Sequence, residues 1–155
     1  MFFHANAGNI GGRLPLIEIL YHHCGFNVVI VGYRGYGHSE GSPTEAGLEL
    51  DADAMFKFCQ DCSEIDNNKI FVLGRSLGGA VAIQAAEKYQ TKIKGIILEN
   101  TFSSIDDLVD VIFPFLSPFK RYVLRMHWPS IERITRVEIP ILFIIGQKDE
   151  LVPAT

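Results

Sequence analysis

One serine stands where an apolar run changes into a segment of small residues, in the stretch IFVLGRSLGGAVAIQAA from Ile70 to Ala86. Ser76 lies in the pattern Gly-x-Ser-x-Gly, after a predicted strand and before a predicted helix. Such a sharp turn lifts a hydroxyl above the edge of a sheet and places it beside the N–H groups that begin the helix. The pattern therefore indicates a nucleophilic serine. The alternative is a tight turn with an incidental serine.

A serine hydroxyl is a poor nucleophile at neutral pH, so Ser76 needs a base and an acid that orients the base. Asp149 is the candidate acid, because it follows the apolar run ILFII and catalytic groups of open α/β sheets gather beyond the carboxyl ends of strands. The alternative is a solvated loop aspartate. Glu150 beside it could be mistaken for the acid, and Glu99, at the end of IILEN, is a lesser candidate.

The same chemistry needs N–H donors for the oxyanion that forms when a serine attacks a carbonyl. The loop from His4 to Gly8, HANAG, follows a predicted strand and consists mainly of small residues. Such a loop can bring a main-chain N–H close to a bound carbonyl, to act with the N–H of Leu77. The alternative is a polar, flexible turn.

The base is harder to place. When the serine precedes the acid in a Gly-x-Ser-x-Gly protein, the histidine is expected to come last in the chain. All five histidines precede Asp149, namely His4, His22, His23, His38 and His127. None of these histidines is a convincing base by chain order. Separately, we expect both ends of the sequence to cut through a fold.

Four apolar runs must position these groups. They are continuous rather than alternating, which is typical of parallel strands with both faces covered; they are VVIV (28–31), IFVL (70–73), IIL (96–98) and ILFII (141–145). Helical patterns lie between them, and one places five apolar residues on a single face, namely Leu48, Ala52, Met55, Phe56 and Cys59. The alternation predicts an α/β fold with a doubly wound, mostly parallel sheet, incomplete at both ends.

We expect residues 1–155 to form one partial domain. The segment 102–129 breaks the alternation, because it is rich in aromatic residues and contains three prolines. It could be a lid over a pocket or the ordinary core of an extra helix. The sequence leaves these two interpretations open.

Composition excludes several classes of protein. The 155 residues are 48% hydrophobic and 21% charged, as in globular domains. A formal net charge of −4 offers no basic face for phosphates, so a nucleic-acid binder is disfavoured. The glycines of GYRGYGHSEG do not match a dinucleotide-binding pattern. Cys59 and Cys62 form C-x-x-C without a second ligand pair, which favours free thiols over a zinc site.

Four motifs taken together, FFHANAGN, GYRGYGHSEG, GRSLGG and GQKDELVP, resemble the α/β-hydrolase fold family in order and spacing. The resemblance covers essentially the whole chain. It implies that Ser76 is the nucleophile, Asp149 the acid, and Asn6 and Leu77 the oxyanion donors, with no cofactor and no metal. The chain departs from the family in two respects: Ala5 stands where many members have glycine, and the later loop that carries the family's histidine is not in this sequence.

The resemblance further implies a serine hydrolase that cleaves an ester, thioester or amide through an acyl-enzyme. The aromatic segment favours a small-molecule or lipid-like substrate with an apolar acyl group. The family's histidine would lie beyond Thr155, so we expect a fragment that is nearly inactive alone. Membrane association would come through a segment that this sequence does not contain. The alternative is a non-catalytic binding protein on the same scaffold.

Overall fold

A computed structural model of the protein describes residues 1–149, and its centre is a four-stranded sheet. All neighbouring strands are parallel, and the spatial order follows the chain: β1 (Phe2–Phe3), β2 (Phe71–Arg75), β3 (Gly95–Glu99) and β4 (Ile141–Ile144). In the register, Leu73 of β2 pairs with Phe2 on one side and with Ile97 on the other. The carboxyl ends of the strands therefore meet at one edge, as the predicted α/β class requires.

Helices connect and flank these strands. Those of the described residues are α1 (Leu14–His22), α2 (Glu45–Asp61), α3 (Leu77–Tyr89), α4 (Ile105–Ile112), α5 (Lys120–Val123) and α6 (Ser130–Ile134), with short 3-10 helices at Ile10–Arg13 and Pro114–Phe119. The Thr44 hydroxyl caps α2 by accepting a hydrogen bond from the Gly47 N–H at 3.0 Å. This bond satisfies one of the N–H groups that a helix start leaves unpaired.

The apolar face predicted for α2 is confirmed, since all five of its residues are buried: Leu48, Ala52, Met55, Phe56 and Cys59. Phe56 stacks on the ring of Tyr89 at the end of α3, with 4.2 Å between the ring centroids. Alanine, glycine and valine dominate the buried part of α3, so this helix can lie close to the sheet. Together α2, α3 and the sheet enclose the main core.

Two expectations about the strands are wrong. The run 28–31 does not form a full strand: it makes one parallel bridge, Phe2 to Ile30, because β1 offers only two residues to pair with. The prediction that both faces of every strand are covered fails at β4. There Leu142, Phe143 and Ile144 remain 54%, 52% and 48% exposed, on the last strand of the described sheet.

The segment 102–129 is packed at its ends and exposed in its middle. Phe102 and Trp128, at its ends, belong to the core. A carboxylate oxygen of Glu45 accepts hydrogen bonds from the backbone N–H groups of His127 at 2.9 Å and Trp128 at 3.3 Å, which ties the segment to α2. Between these ends, Phe115 and Tyr122 are each 72% exposed. The lid interpretation stays a prediction for this middle part.

The first turn of α3 lies so close to the strand ends that side-chain atoms do not fit there. A Cβ built on Gly78 would lie 1.9 Å from the carbonyl oxygen of Phe3, and one on Gly79 would lie 2.3 Å from the Thr101 hydroxyl. Contacts this short are far inside van der Waals distance. Glycine at these positions is therefore a packing requirement of the turn that carries Ser76.

We expect Gly78→Ala to lower the free energy of unfolding by about 3 kcal/mol, because the added methyl group must displace either β1 or α3. Chemical denaturation measures the change. Gly12→Ala is the matched control, since nothing lies within 4 Å of a Cβ built at that position. The control should change stability by less than about 0.5 kcal/mol. Equal effects of the two substitutions would contradict the packing described here.

Candidate active site

Ser76 lies between the last residue of β2 and the first residue of α3, in a backbone conformation that residues with side chains rarely adopt. Its φ is 51° and its ψ is −118°, a strain on the order of 1–3 kcal/mol. Two bonds from the end of β3 hold it there. The Ser76 N–H donates to the Glu99 carbonyl at 3.0 Å, and the Thr101 hydroxyl donates to the Ser76 carbonyl at 3.0 Å.

The hydroxyl of Ser76 is not used to cap the helix that follows. Ser76 is the N-cap residue of α3, yet its side chain accepts no capping hydrogen bond. The Gly79 N–H instead donates to the Ser76 carbonyl at 2.8 Å. Leu77 is the first residue of α3, so its N–H has no acceptor within the helix. An N–H and the positive end of the helix dipole thus adjoin the half-buried serine.

The loop that contains Asn6 begins beside the same helix end. The carbonyl oxygens of Phe3 and His4 would lie 1.9 and 2.8 Å from a Cβ on Gly78, so β1 runs directly against the first turn of α3. Asn6 itself is exposed, and its side-chain oxygen accepts a hydrogen bond from the Tyr36 hydroxyl. The structure therefore brings the two predicted donor segments, the 4–8 loop and the start of α3, to one place.

Asp149 reaches this edge through Asn100, a residue that the sequence analysis missed. The Asn100 side-chain N–H donates to a carboxylate oxygen of Asp149 at 2.6 Å, and its side-chain oxygen accepts from the Gly146 N–H at 2.8 Å. The Asn100 backbone N–H donates to the Ile144 carbonyl at 3.0 Å. Asn100 has a φ of 44°, a left-handed conformation that asparagine adopts more readily than most residues.

Residues 99–101 are therefore the link between the candidate nucleophile and the candidate acid. Glu99 and Thr101 bind the backbone of Ser76, and Asn100 between them binds Asp149. The one sequence signal for Asn100 was an asparagine directly after the strand IILE, a position that suits a left-handed residue. Its partner in the loop after β4 could not be read from the pattern.

The other carboxylates differ in their surroundings. Glu99, the lesser candidate, lies 3.6 Å from the guanidinium of Arg75 on the neighbouring strand. Glu150 lies outside the described residues. Asp149 is half-buried and is the carboxylate that Asn100 holds.

Among the histidines, His4 is completely buried and His127 belongs to an exposed pair. The Nδ1 atom of His4 lies 2.8 Å from the Ala5 carbonyl, and Nδ1 of His127 lies 2.7 Å from a carboxylate oxygen of Asp106. Neither contact involves Ser76 or Asp149. The three others are exposed: His22, His23 and His38. Burial lowers the pKa of His4, against a smaller opposite effect of its bond to Ala5.

The described residues contain neither a cluster of metal ligands nor a membrane-spanning helix. Within residues 1–149, no three His, Cys, Asp or Glu side chains lie close enough together to hold a metal ion. Cys59 and Cys62 are free thiols, and burial raises the pKa of Cys59. No helix in this part of the chain is both long enough and apolar enough to cross a membrane.

The lowered pKa of His4 predicts a pH-dependent stability. In the unfolded chain its imidazole takes up a proton near the ordinary value of 6.5, whereas the folded protein resists protonation until lower pH. Stability should therefore fall as the pH drops below about 6.5. Denaturation series between about pH 5 and 7 should show a steeper fall for the wild type than for His4→Phe, which keeps a ring but cannot titrate. Equal slopes would contradict the prediction.

Known proteins match both the sequence and the fold. A family model described as alpha/beta hydrolase fold matches residues 1–126. "Protein bem46" of Schizosaccharomyces pombe is 43% identical over 154 residues, and an "Uncharacterized membrane protein" of Saccharomyces cerevisiae is 46% identical over 152. These matches cover 99% and 96% of this chain, but 52% of each relative. The chain thus spans about half the length of the curated relatives it matches.

Solved structures agree on the fold. An alpha-beta hydrolase from Vibrio vulnificus superimposes with a TM-score of 0.84 at 23% identity, covering 97% of this chain and 57% of the other. A Pyrococcus furiosus esterase gives a TM-score of 0.76 at 23% identity, covering 99% of this chain and 63% of the other. At such identities the likeness concerns the fold alone. The match to the family model shows that the chain belongs to the α/β-hydrolase fold family, and the relatives and solved structures agree with it.

Proposed function

We propose that the protein is a serine hydrolase that cleaves an ester, thioester or amide through an acyl-enzyme on Ser76. The observation that carries this proposal is the strained turn at Ser76, which sets a hydroxyl not used for capping at the start of α3. The link through residues 99–101 to Asp149 supports it. The fold shared with an esterase supports it further.

In the proposed reaction, Ser76 Oγ forms a bond to the substrate carbonyl carbon while a base takes the hydroxyl proton. The carbonyl electron pair moves to oxygen, and the N–H groups of Leu77 and Asn6 stabilise the resulting oxyanion. The tetrahedral intermediate then expels the leaving group, which receives the proton from the base. Water then attacks the acyl carbon while the base takes one of its protons. The second tetrahedral intermediate breaks its bond to Ser76 Oγ, which regains a proton from the base, and the carboxylic acid product leaves.

Asp149 orients the base in this proposal and stabilises its protonated form. The bond from Asn100 fixes the carboxylate that does so. Since none of the five histidines of this sequence follows Asp149, we assign the base to a histidine outside these 155 residues. His4 keeps a structural role, because its ring is buried against Tyr33.

For the substrate we propose a small molecule or lipid with an apolar acyl group. The middle of the segment 102–129 exposes large aromatic side chains, which would serve as a lid that contacts the acyl chain: Phe113, Phe115, Phe119 and Tyr122. The relative from Saccharomyces cerevisiae is named as a membrane protein, which supports membrane association of the whole protein. Such a location would bring the site close to lipid substrates.

A fluorophosphonate probe tests the proposed nucleophile, because it reacts covalently with activated serine hydroxyls. We expect the full-length protein to be labelled on Ser76, and Ser76→Ala to abolish the labelling, as read by intact-protein and peptide mass spectrometry. Ser63→Ala, which alters an exposed loop serine, is the control and should be labelled normally. Asp149→Asn should slow the labelling on the order of 10⁴-fold.

Absence of labelling in the wild type, or labelling that survives Ser76→Ala, would overturn the serine hydrolase. The first outcome would favour a binding protein that keeps the hydrolase scaffold. An unchanged rate in Asp149→Asn would leave the nucleophile in place and remove Asp149 from the proposed site.

A further inference from the structure

The glycine-rich loop GYRGYGHSEG, residues 32–41, has no part in the mechanism above. Both of its tyrosine hydroxyls nevertheless donate hydrogen bonds to the 4–8 loop, which carries the candidate oxyanion donor Asn6. The Tyr33 hydroxyl donates to the His4 carbonyl at 3.1 Å. The Tyr36 hydroxyl donates to the side-chain oxygen of Asn6. Tyr33 is completely buried, whereas Tyr36 is half-buried.

The rings of Tyr33 and Tyr36 also pack against the ring of His4 and against each other. The His4 ring centroid lies 4.2 Å from that of Tyr33 and 5.7 Å from that of Tyr36, and the two tyrosine rings lie 5.6 Å apart in an edge-to-face arrangement. Residues 4, 5 and 6 therefore each have a contact that restrains them: the carbonyl of His4, the carbonyl of Ala5 and the side chain of Asn6.

The glycine-rich loop is itself fixed to α2. The backbone N–H and the guanidinium of Arg34 both donate to the Asp51 carboxylate, at distances between 2.9 and 3.1 Å. A hydrogen bond within the loop, from the Tyr36 N–H to the Tyr33 carbonyl at 3.0 Å, stabilises its turn. Burial raises the pKa of both phenols, so both hydroxyls stay protonated and remain donors at neutral pH.

The two tyrosines differ in what their hydroxyls hold. Tyr33 bonds a backbone carbonyl in the core, and its loss would leave a buried acceptor unpaired, which affects folding. Tyr36 bonds an exposed side chain, and both partners of that bond could bond to water instead, so it contributes little to stability. Its consequence is the orientation of the Asn6 side chain, in a loop whose neighbouring carbonyls are held separately, that of Ala5 by the His4 ring and that of Ala7 by the Arg13 guanidinium.

We propose that Tyr36 is a positioning residue, whose hydroxyl fixes the side chain of Asn6 and thereby holds the Asn6 N–H where the oxyanion forms. The inference rests on the proposed function, because it assigns a role at that same site. Oxyanion stabilisation depends on donors that are already in place when the charge develops. A loop of small residues needs contacts from outside to achieve this, and Tyr36 supplies the one at the Asn6 side chain, beside the bond from Arg13 to the Ala7 carbonyl.

The test compares wild type, Tyr36→Phe, Asn6→Ala and the double variant in the full-length protein. Turnover of a p-nitrophenyl ester and the rate of fluorophosphonate labelling are measured beside the melting temperature. We expect Tyr36→Phe to lower kcat about 10-fold, less than the loss of a whole oxyanion donor. KM and the melting temperature should stay unchanged, because the ring and its packing are kept.

The double variant separates positioning from a general structural effect. If Tyr36 acts through Asn6, removing its hydroxyl from a protein that already lacks the Asn6 side chain should cost nothing further. Tyr89→Phe is the matched control. It removes a hydroxyl that donates to Asp53 at 2.7 Å, at the opposite end of α3 from Ser76, and should leave the rates unchanged.

Two results would overturn the positioning role. One is a kcat of Tyr36→Phe equal to that of the wild type. The other is a double variant whose loss in kcat is the product of the losses in Tyr36→Phe and Asn6→Ala. Either result with normal Ser76 labelling in the wild type would overturn this inference alone. Absence of Ser76-dependent labelling in the wild type would overturn the proposed function, and the role of Tyr36 with it.

Discussion

The candidate site depends on how closely the first turn of α3 approaches the ends of three strands. A Cβ on Gly74 would lie 2.3 Å from the Gly78 carbonyl, and one on Gly78 would lie 1.9 Å from that of Phe3. Only glycine fits such distances. Because the helix starts this close to the sheet, the one residue left to make the turn, Ser76, takes a positive φ. The packing and the strain at Ser76 are thus two results of one constraint.

Around this turn, side chains from distant parts of the sequence fix the neighbouring loops. Asn100 joins the end of β3 to the loop after β4, and Thr101 binds the backbone of Ser76. On the opposite side, Tyr33 and Tyr36 hold the loop after β1. The strands bring their carboxyl ends to one edge, and these bonds determine which atoms face one another there.

Much of this arrangement could be predicted because local patterns carry it. The glycines around Ser76 follow from the strand–turn–helix context, and the buried face of α2 follows from helical periodicity. Asn100 and Tyr36 could not be found in this way. Their partners lie 49 and 30 residues away in the sequence, so the contacts exist only once the strands are aligned. The prediction for 28–31 failed for a similar reason, because pairing depends on the length of its neighbour β1.

The most direct test of the account is a crystal structure of the full-length protein after reaction with a fluorophosphonate. The account predicts a covalent bond from phosphorus to Ser76 Oγ, with the phosphoryl oxygen about 3 Å from the N–H groups of Leu77 and Asn6. The Asp149 carboxylate should still accept its hydrogen bond from Asn100. An adduct on another residue, or a phosphoryl oxygen that points away from the start of α3, would contradict it.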